Sequence, residues 1–362
     1  MEISPTPVHS ALAQAHAAPQ HGPRPLPLFL DILWRETEDD PELRRRAFQG
    51  LRKYQSAERS TPPSAAPVVA ASGNARLLHY GTASGRPPVV FVPSLINPPT
   101  VLDLSESRSM LRHMAAQGHD AYLVDWGTPA AGDSMLGLDS HVAERLVPML
   151  ASLPLPPILV GYCLGGSLVL GAAMLHPVRA VATIAAPWHF DGFPAADLDL
   201  IIGLWNGAKT TCERLGYVPM EVLQSGFWAL DPARTIRKFA AFADITAGTD
   251  DERAFLSVED WANGGAPLTF AAGRDLFETF YEGNMSGLGN WMIRDRAVKL
   301  ESLTCPNLSI CSATDRIVPA AASPRLAQSE MLQMGHVGMI VGRQAPELLW
   351  NPLSQWLSGH GG

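Results

Sequence analysis

The sequence has no apolar run approaching the roughly 20 residues that a membrane-spanning helix needs. Runs such as Val89–Val92 and Pro157–Val160 have the length of buried strands instead. Charge is sparse: Asp, Glu, Lys and Arg make up 17% of the chain, and the net charge of −8 comes without any Lys/Arg cluster. Nucleic acid is therefore not an expected partner, because phosphate binding needs a basic face. Cysteine is scarce too. The four, Cys163, Cys212, Cys305 and Cys311, form no CxxC pair and stand in no His/Cys cluster, so neither a metal nor another cofactor is expected. No basic stretch followed by an apolar one opens the chain. We therefore expect no secretory signal, reduced thiols and a cytoplasmic location. One cysteine is then free to be a nucleophile.

What the sequence does hold, 362 residues of which 46% are hydrophobic, is enough for one large core with an inserted cap. Residues 1–26, rich in Ala, Pro and His, read as a flexible tail. A helical pattern covers Leu28–Tyr54, with Asp40-Pro41 as a start signal. Small and Pro-rich residues over 58–75 read as a linker. From there strands and helices alternate, as a mostly parallel sheet requires. Strands are expected at Val89–Val92, Asp120–Trp126, Pro157–Gly161 and Ala180–Ala185, with helices at Ser107–Ala116, Asp139–Leu153 and Leu164–Leu175.

The alternation lapses between about Trp188 and Trp291, a Trp-rich stretch too long for a loop, and we expect a cap there. It resumes with a strand at Asn307–Ala313, a helix near Ala321–Ala327, a strand near Ser329–Gln333 and a helix near Glu347–Leu357. The expected divisions are 1–75 for tail and N-terminal helices, 76–187 and 292–362 for the core, and 188–291 for the cap. The fold class is α/β: an α/β-hydrolase fold, with a mostly parallel central sheet, helices on both faces and an inserted helical cap.

Chemistry is concentrated in Gly161-Tyr162-Cys163-Leu164-Gly165-Gly166, preceded by an apolar strand and followed by a Gly-rich apolar helix. This is a G-x-[S/C]-x-G nucleophile elbow in its proper context. The glycines permit a sharp turn that presents Cys163, and the backbone amide of Leu164 becomes one oxyanion donor. A helix N-terminus also favours the thiolate. In this fold the acid and base follow the nucleophile along the chain. Asp315, just past the Asn307–Cys311 apolar run, is the candidate acid, and His336, 21 residues on, the candidate base. Asp315 would orient the imidazole, and His336 would deprotonate Cys163 and later an incoming hydroxyl. A second oxyanion donor is expected in Pro93-Ser94-Leu95-Ile96-Asn97, from the amide of either Leu95 or Ile96.

These residues resemble those of the polyhydroxyalkanoate synthases, most closely the shorter kind that works with a second subunit. The Gly-Tyr-Cys-Leu-Gly-Gly box is similar to that family's cysteine-bearing lipase box, and Phe91–Asn97 with Val124-Asp125-Trp126-Gly127 to its oxyanion segment. Asp260-Trp261-Ala262-Asn263-Gly264-Gly265 and Tyr281-Glu282-Gly283-Asn284 resemble positions in its cap, and the Asp315 and His336 segments its acid and base motifs. The resemblance implies an acyltransferase that polymerises (R)-3-hydroxyacyl-CoA, such as 3-hydroxybutyryl-CoA, and releases CoA. It also implies candidate partners in a second synthase subunit, the polymer granule surface and a second copy of the chain as a homodimer. The alternative within the same fold is a hydrolase acting on polyester, ester or thioester.

Overall fold

Successive residues of a strand point to opposite faces of a sheet, so strands that are apolar throughout must be covered on both sides. The computed structural model, which describes residues 22–81 and 85–361, contains such a sheet. Its strands are β1 (Val68–Ser72), β2 (Ala75–His79), β3 (Val89–Val92), β4 (Ala121–Asp125), β5 (Ile158–Tyr162), β6 (Ala180–Ile184), β7 (Asn307–Ser312) and β8 (Gln328–Leu332). They lie in the order β1-β2-β4-β3-β5-β6-β7-β8. β2 runs antiparallel to β1 and β4, and all other neighbours are parallel. Val90, Val92, Leu159 and Val181 enter the core on one face, and Val89, Phe91, Val160 and Ala182 enter the core on the other. This is the expected α/β-hydrolase fold.

The helices that matter below are α1 (Leu26–Glu36), α2 (Pro41–Ser56), α3 (Met110–Ala116), α4 (Leu164–Leu175), α5 (Ala195–Leu215), α6 (Met220–Leu230), α7 (Pro232–Ala243), α8 (Asp250–Ala262) and α9 (Asn351–His360). The chain forms two compact units. The larger, residues 61–231 and 257–362, holds the sheet, α3–α6 and α9. The smaller holds α1, α2, α7 and the start of α8, from residues 1–60 and 232–256. Within it α2 and α7 cross closely at Gly50, where a Cβ would overlap the Phe239 carbonyl. Phe239 takes the edges of Phe29 and Tyr54, with centroids 4.9 and 5.7 Å away. Asp40 starts α2 as expected, its side chain accepting from the Leu43 amide at 2.9 Å.

Two local expectations differ from the structure. Residues 58–75 are not all linker, because β1 occupies Val68–Ser72 and pairs with β2 across a two-residue turn at Gly73-Asn74. Gly73 has φ of 59°, the conformation such hairpins need. The helix near Ala321–Ala327 is absent; only a 3₁₀ turn forms, at Ala320–Ala322. Pro324 forbids the α region to Ser323, which is extended at ψ of 150°, and the chain runs on into β8. Of the flexible tail expected over residues 1–26, residues 1–21 lie outside those described.

Candidate active site

β5 delivers the chain to the carboxyl edge of the sheet, and α4 begins one residue after Cys163. The turn between them is tight. Cys163 adopts φ 55° and ψ −133°, a combination that costs a residue with a side chain and that the surroundings must enforce. The enforcement is visible on both sides. A Cβ on Gly165 would overlap the carbonyl oxygen of Val92, and one on Gly161 would overlap Gly166. The Cys163 amide donates to the Ile184 carbonyl at 3.0 Å, and the Cys163 carbonyl accepts from the Gly166 amide at 2.8 Å. The side chain of Cys163 is partly exposed, and all four cysteines are unpaired.

Asp315 lies three residues past β7 and His336 four past β8, so two adjacent parallel strands bring them to the same edge as Cys163. His336 Nδ1 and Asp315 Oδ2 are 2.7 Å apart. The other carboxylate oxygen accepts from the Ile317 and Val318 amides at 2.8 and 3.0 Å, which fixes its plane. Cys163 lies close enough to His336 to raise its pKa. Burial alone would lower the pKa of His336, yet the negative charges of Asp315 and of a Cys163 thiolate outweigh it and push the value up to about 10. The site therefore favours the protonated imidazole. Both loops are tied together by Ser312, whose hydroxyl accepts from the Met334 amide at 3.1 Å and donates back to the Met334 carbonyl. The ring of Tyr162 flanks His336, with centroids 5.0 Å apart, and its hydroxyl donates to the His336 carbonyl at 3.2 Å.

The expected oxyanion loop follows β3 and abuts α4: a Cβ on Gly165 would lie 2.6 Å from the Pro93 carbonyl oxygen. The indole of Trp126 holds that same carbonyl at 3.0 Å. The two candidate donors differ. The Ile96 amide is already used, donating to Ser94 Oγ at 3.2 Å, whereas the Leu95 amide has no hydrogen bond among the described residues. The Leu164 amide is the first of α4 and has no intrahelical acceptor to satisfy.

Tyr281, which the motifs placed only by its resemblance to a cap position, lies close to Cys163. Burial and the neighbouring charge of Cys163 both push its phenol well above its ordinary range. Its ring packs against Phe190 and Phe193, at 4.9 and 5.3 Å between centroids. The Phe277–Phe280–Tyr281 spacing along one helical face was the available signal. The Asp260–Gly265 segment also gains a position: Trp261 Nε1 donates to the Pro98 carbonyl at 2.8 Å, bracing the far end of the oxyanion loop. Among the described residues no group of His, Cys, Asp and Glu is arranged to hold a metal, and no helix is long and apolar enough to cross a membrane.

No protein-family model matches the chain. It is 28% identical over 92% of its length to the poly(3-hydroxyalkanoate) polymerase subunit PhaC of Haloferax mediterranei, covering 72% of that protein. It is also 28% identical, over 89% of its length, to the subunit of the same name from Allochromatium vinosum, covering 96% of it. The Thiocystis violacea subunit is 26% identical and 99% covered. Among solved structures, a thermophilic esterase from Thermogutta terrifontis aligns with 82% of the chain and 100% of its own at a TM-score of 0.51. At 13% identity that likeness shows the fold alone. The resemblance read from the motifs thus extends along nearly the whole chain.

Proposed function

From the similarity of nine-tenths of the chain to poly(3-hydroxyalkanoate) polymerase subunits, we propose that it is an acyltransferase that polymerises 3-hydroxyacyl groups carried by CoA. The single observation that carries the reading to this site is a cysteine, rather than a serine, at the elbow beside a buried histidine–aspartate pair. Cys163 Sγ attacks the thioester carbonyl, and the Leu164 and Leu95 amides receive the oxyanion. As the intermediate collapses, CoA leaves with the proton of the His336 imidazolium. One thioester has replaced another, so the acyl group stays activated.

Acylation also changes the base. Sγ no longer carries charge, one of the two negative charges that raise the pKa of His336 is gone, and the imidazole becomes a better proton acceptor. It then takes the proton of the hydroxyl at C3 of another unit, whose oxygen attacks the Cys163 thioester and forms the ester link. Asp315 holds the imidazole in orientation throughout. No step requires a metal. Tyr281, close to Cys163 and packed on Phe190 and Phe193, helps to exclude water that would otherwise divert the acyl group to hydrolysis.

On this reading the enzyme works in the cytoplasm at the surface of its own insoluble polymer, and the name "subunit" borne by the relatives supports a second chain as partner. Intact-mass measurement after brief exposure to 3-hydroxybutyryl-CoA tests the reading. The protein should gain one hydroxyacyl mass, and Cys163→Ala should gain none while keeping its circular dichroism, since the turn rests on glycines rather than on sulfur. An acylated Cys163→Ala variant would remove the cysteine from the chemistry.

A further inference from the structure

An apolar cavity of about 40 Å³ lies beside the candidate triad. Two of its lining residues belong to the site's own loops: Ile96 follows Leu95, and Ile317 donates its amide to Asp315 Oδ1. Tyr281, close enough to Cys163 to feel its charge, lines it as well. Another wall is α6. Leu223, Gly226, Phe227 and Leu230 all face the cavity, because residues three and four apart share one side of a helix. Among the described residues no charged side chain lines it, so its occupant is an alkyl group rather than a carboxylate or the phosphates of CoA.

Glycine at position 226 is the anomaly. It sits inside a regular helix, where glycine is unfavourable relative to alanine, and its backbone has no positive φ to explain it. Nor does close packing require it. The nearest atom to an added Cβ is Leu204 Cδ2 at 3.4 Å, an ordinary contact with a flexible side chain. What the missing side chain leaves is space on the cavity wall.

Resting on the reading of this site as an acyltransferase, we infer that the cavity binds the alkyl substituent at C3 of the hydroxyacyl chain and that Gly226 sets its depth. At roughly 10–15 Å³ for each probe-sized group, the space holds about three carbons. Methyl and propyl substituents fit, and pentyl does not. The inferred substrates are therefore the CoA thioesters of 3-hydroxybutyrate and 3-hydroxyhexanoate, with 3-hydroxyoctanoate excluded.

The test reads the rate of Cys163 acylation by intact mass with these three thioesters, which is independent of where the acyl group goes next. The unsubstituted protein should react with the first two at similar rates and with the third at least about tenfold more slowly. Gly226→Val should lower the ratio of the 3-hydroxyhexanoyl rate to the 3-hydroxybutyryl rate by at least about tenfold, with Gly226→Ala moving the ratio the same way by less. Leu230→Ala, which enlarges the cavity, should raise the 3-hydroxyoctanoyl rate. An unchanged chain-length profile in folded Gly226→Ala and Leu230→Ala overturns the inference, even if Gly226→Val proves unstable. The predicted profile with free acid as the final product keeps the cavity assignment and overturns the polymerase reading. Polymer with an unchanged profile does the reverse, and no acylation by any thioester overturns both.

Discussion

Asp315→Asn will slow acyl transfer by roughly 10²–10⁴-fold, with little change in substrate affinity. Both carboxylate oxygens are acceptors in the structure, one from His336 Nδ1 at 2.7 Å and the other from two backbone amides at 2.8 and 3.0 Å. An amide must place its NH₂ against one of these donors. Either the histidine flips to the wrong tautomer or the loop carrying residue 315 loses its anchor. The pH dependence changes as well. Burial opposes the imidazolium, and Asp315 is the foremost of the groups that outweigh it and hold its pKa near 10. The sign follows from a folded value raised above the unfolded one. The stabilisation by charged His336 is fully present below the unfolded value of about 6.5 and lost as pH rises through about 10. In Asp315→Asn the alkaline limb of both stability and acylation should move to lower pH. A variant whose turnover and alkaline limb match those of the parent would show that Asp315 does not act through His336.

Gly165→Ala should be the most damaging methyl group that can be added to the larger unit. The new Cβ would overlap the Val92 carbonyl and crowd that of Pro93, both backbone atoms of a central strand and its loop, which cannot rotate away. Overpacking against rigid neighbours costs about 1–3 kcal/mol or more, enough to lower the Tm by roughly 2–5 °C in a unit of this size. Activity should fall further than stability, because the displaced loop carries Leu95. The same substitution at Gly203 or Gly207 is the internal control. Those positions are exposed on α5, a Cβ there meets nothing within 4 Å, and helix propensity predicts a gain of about 0.5–1 kcal/mol. Equal Tm changes at Gly165 and Gly203 would contradict the account of the elbow.

The core strands, and the placing of Cys163, Asp315 and His336 at one edge of the sheet, were legible because local rules specify them: apolar runs ended by Gly or Pro, a strand–turn–helix motif, and an Asp and a His just past the last two strands. Other features depend on partners far along the chain. The smaller unit pairs α2 with α7, tied by Lys53 reaching the Ile245 carbonyl, a contact across 192 residues that no local pattern announces. β1 was concealed by its place at the sheet edge, where Val68 and Val69 are both half exposed and the usual alternation is lost. Its one local signal is the Gly73-Asn74 turn. Before β8, Pro324 keeps Ser323 extended, and this overrides the local helix propensity of the alanines. What sets the Leu95 amide apart from that of Ile96 as the proposed donor is the direction of one hydroxyl, that of Ser94, which lies beyond what sequence specifies.

The central claim is that Cys163 carries an acyl group from CoA to another hydroxyl rather than to water. The measurement that tests it most directly gives the purified protein 3-hydroxybutyryl-CoA, follows CoA release, and determines the acyl product by mass. Ester-linked oligomers or insoluble polyester, absent with Cys163→Ala, is the predicted result. Stoichiometric free 3-hydroxybutyrate would contradict it and make the protein a thioesterase built on the same elbow.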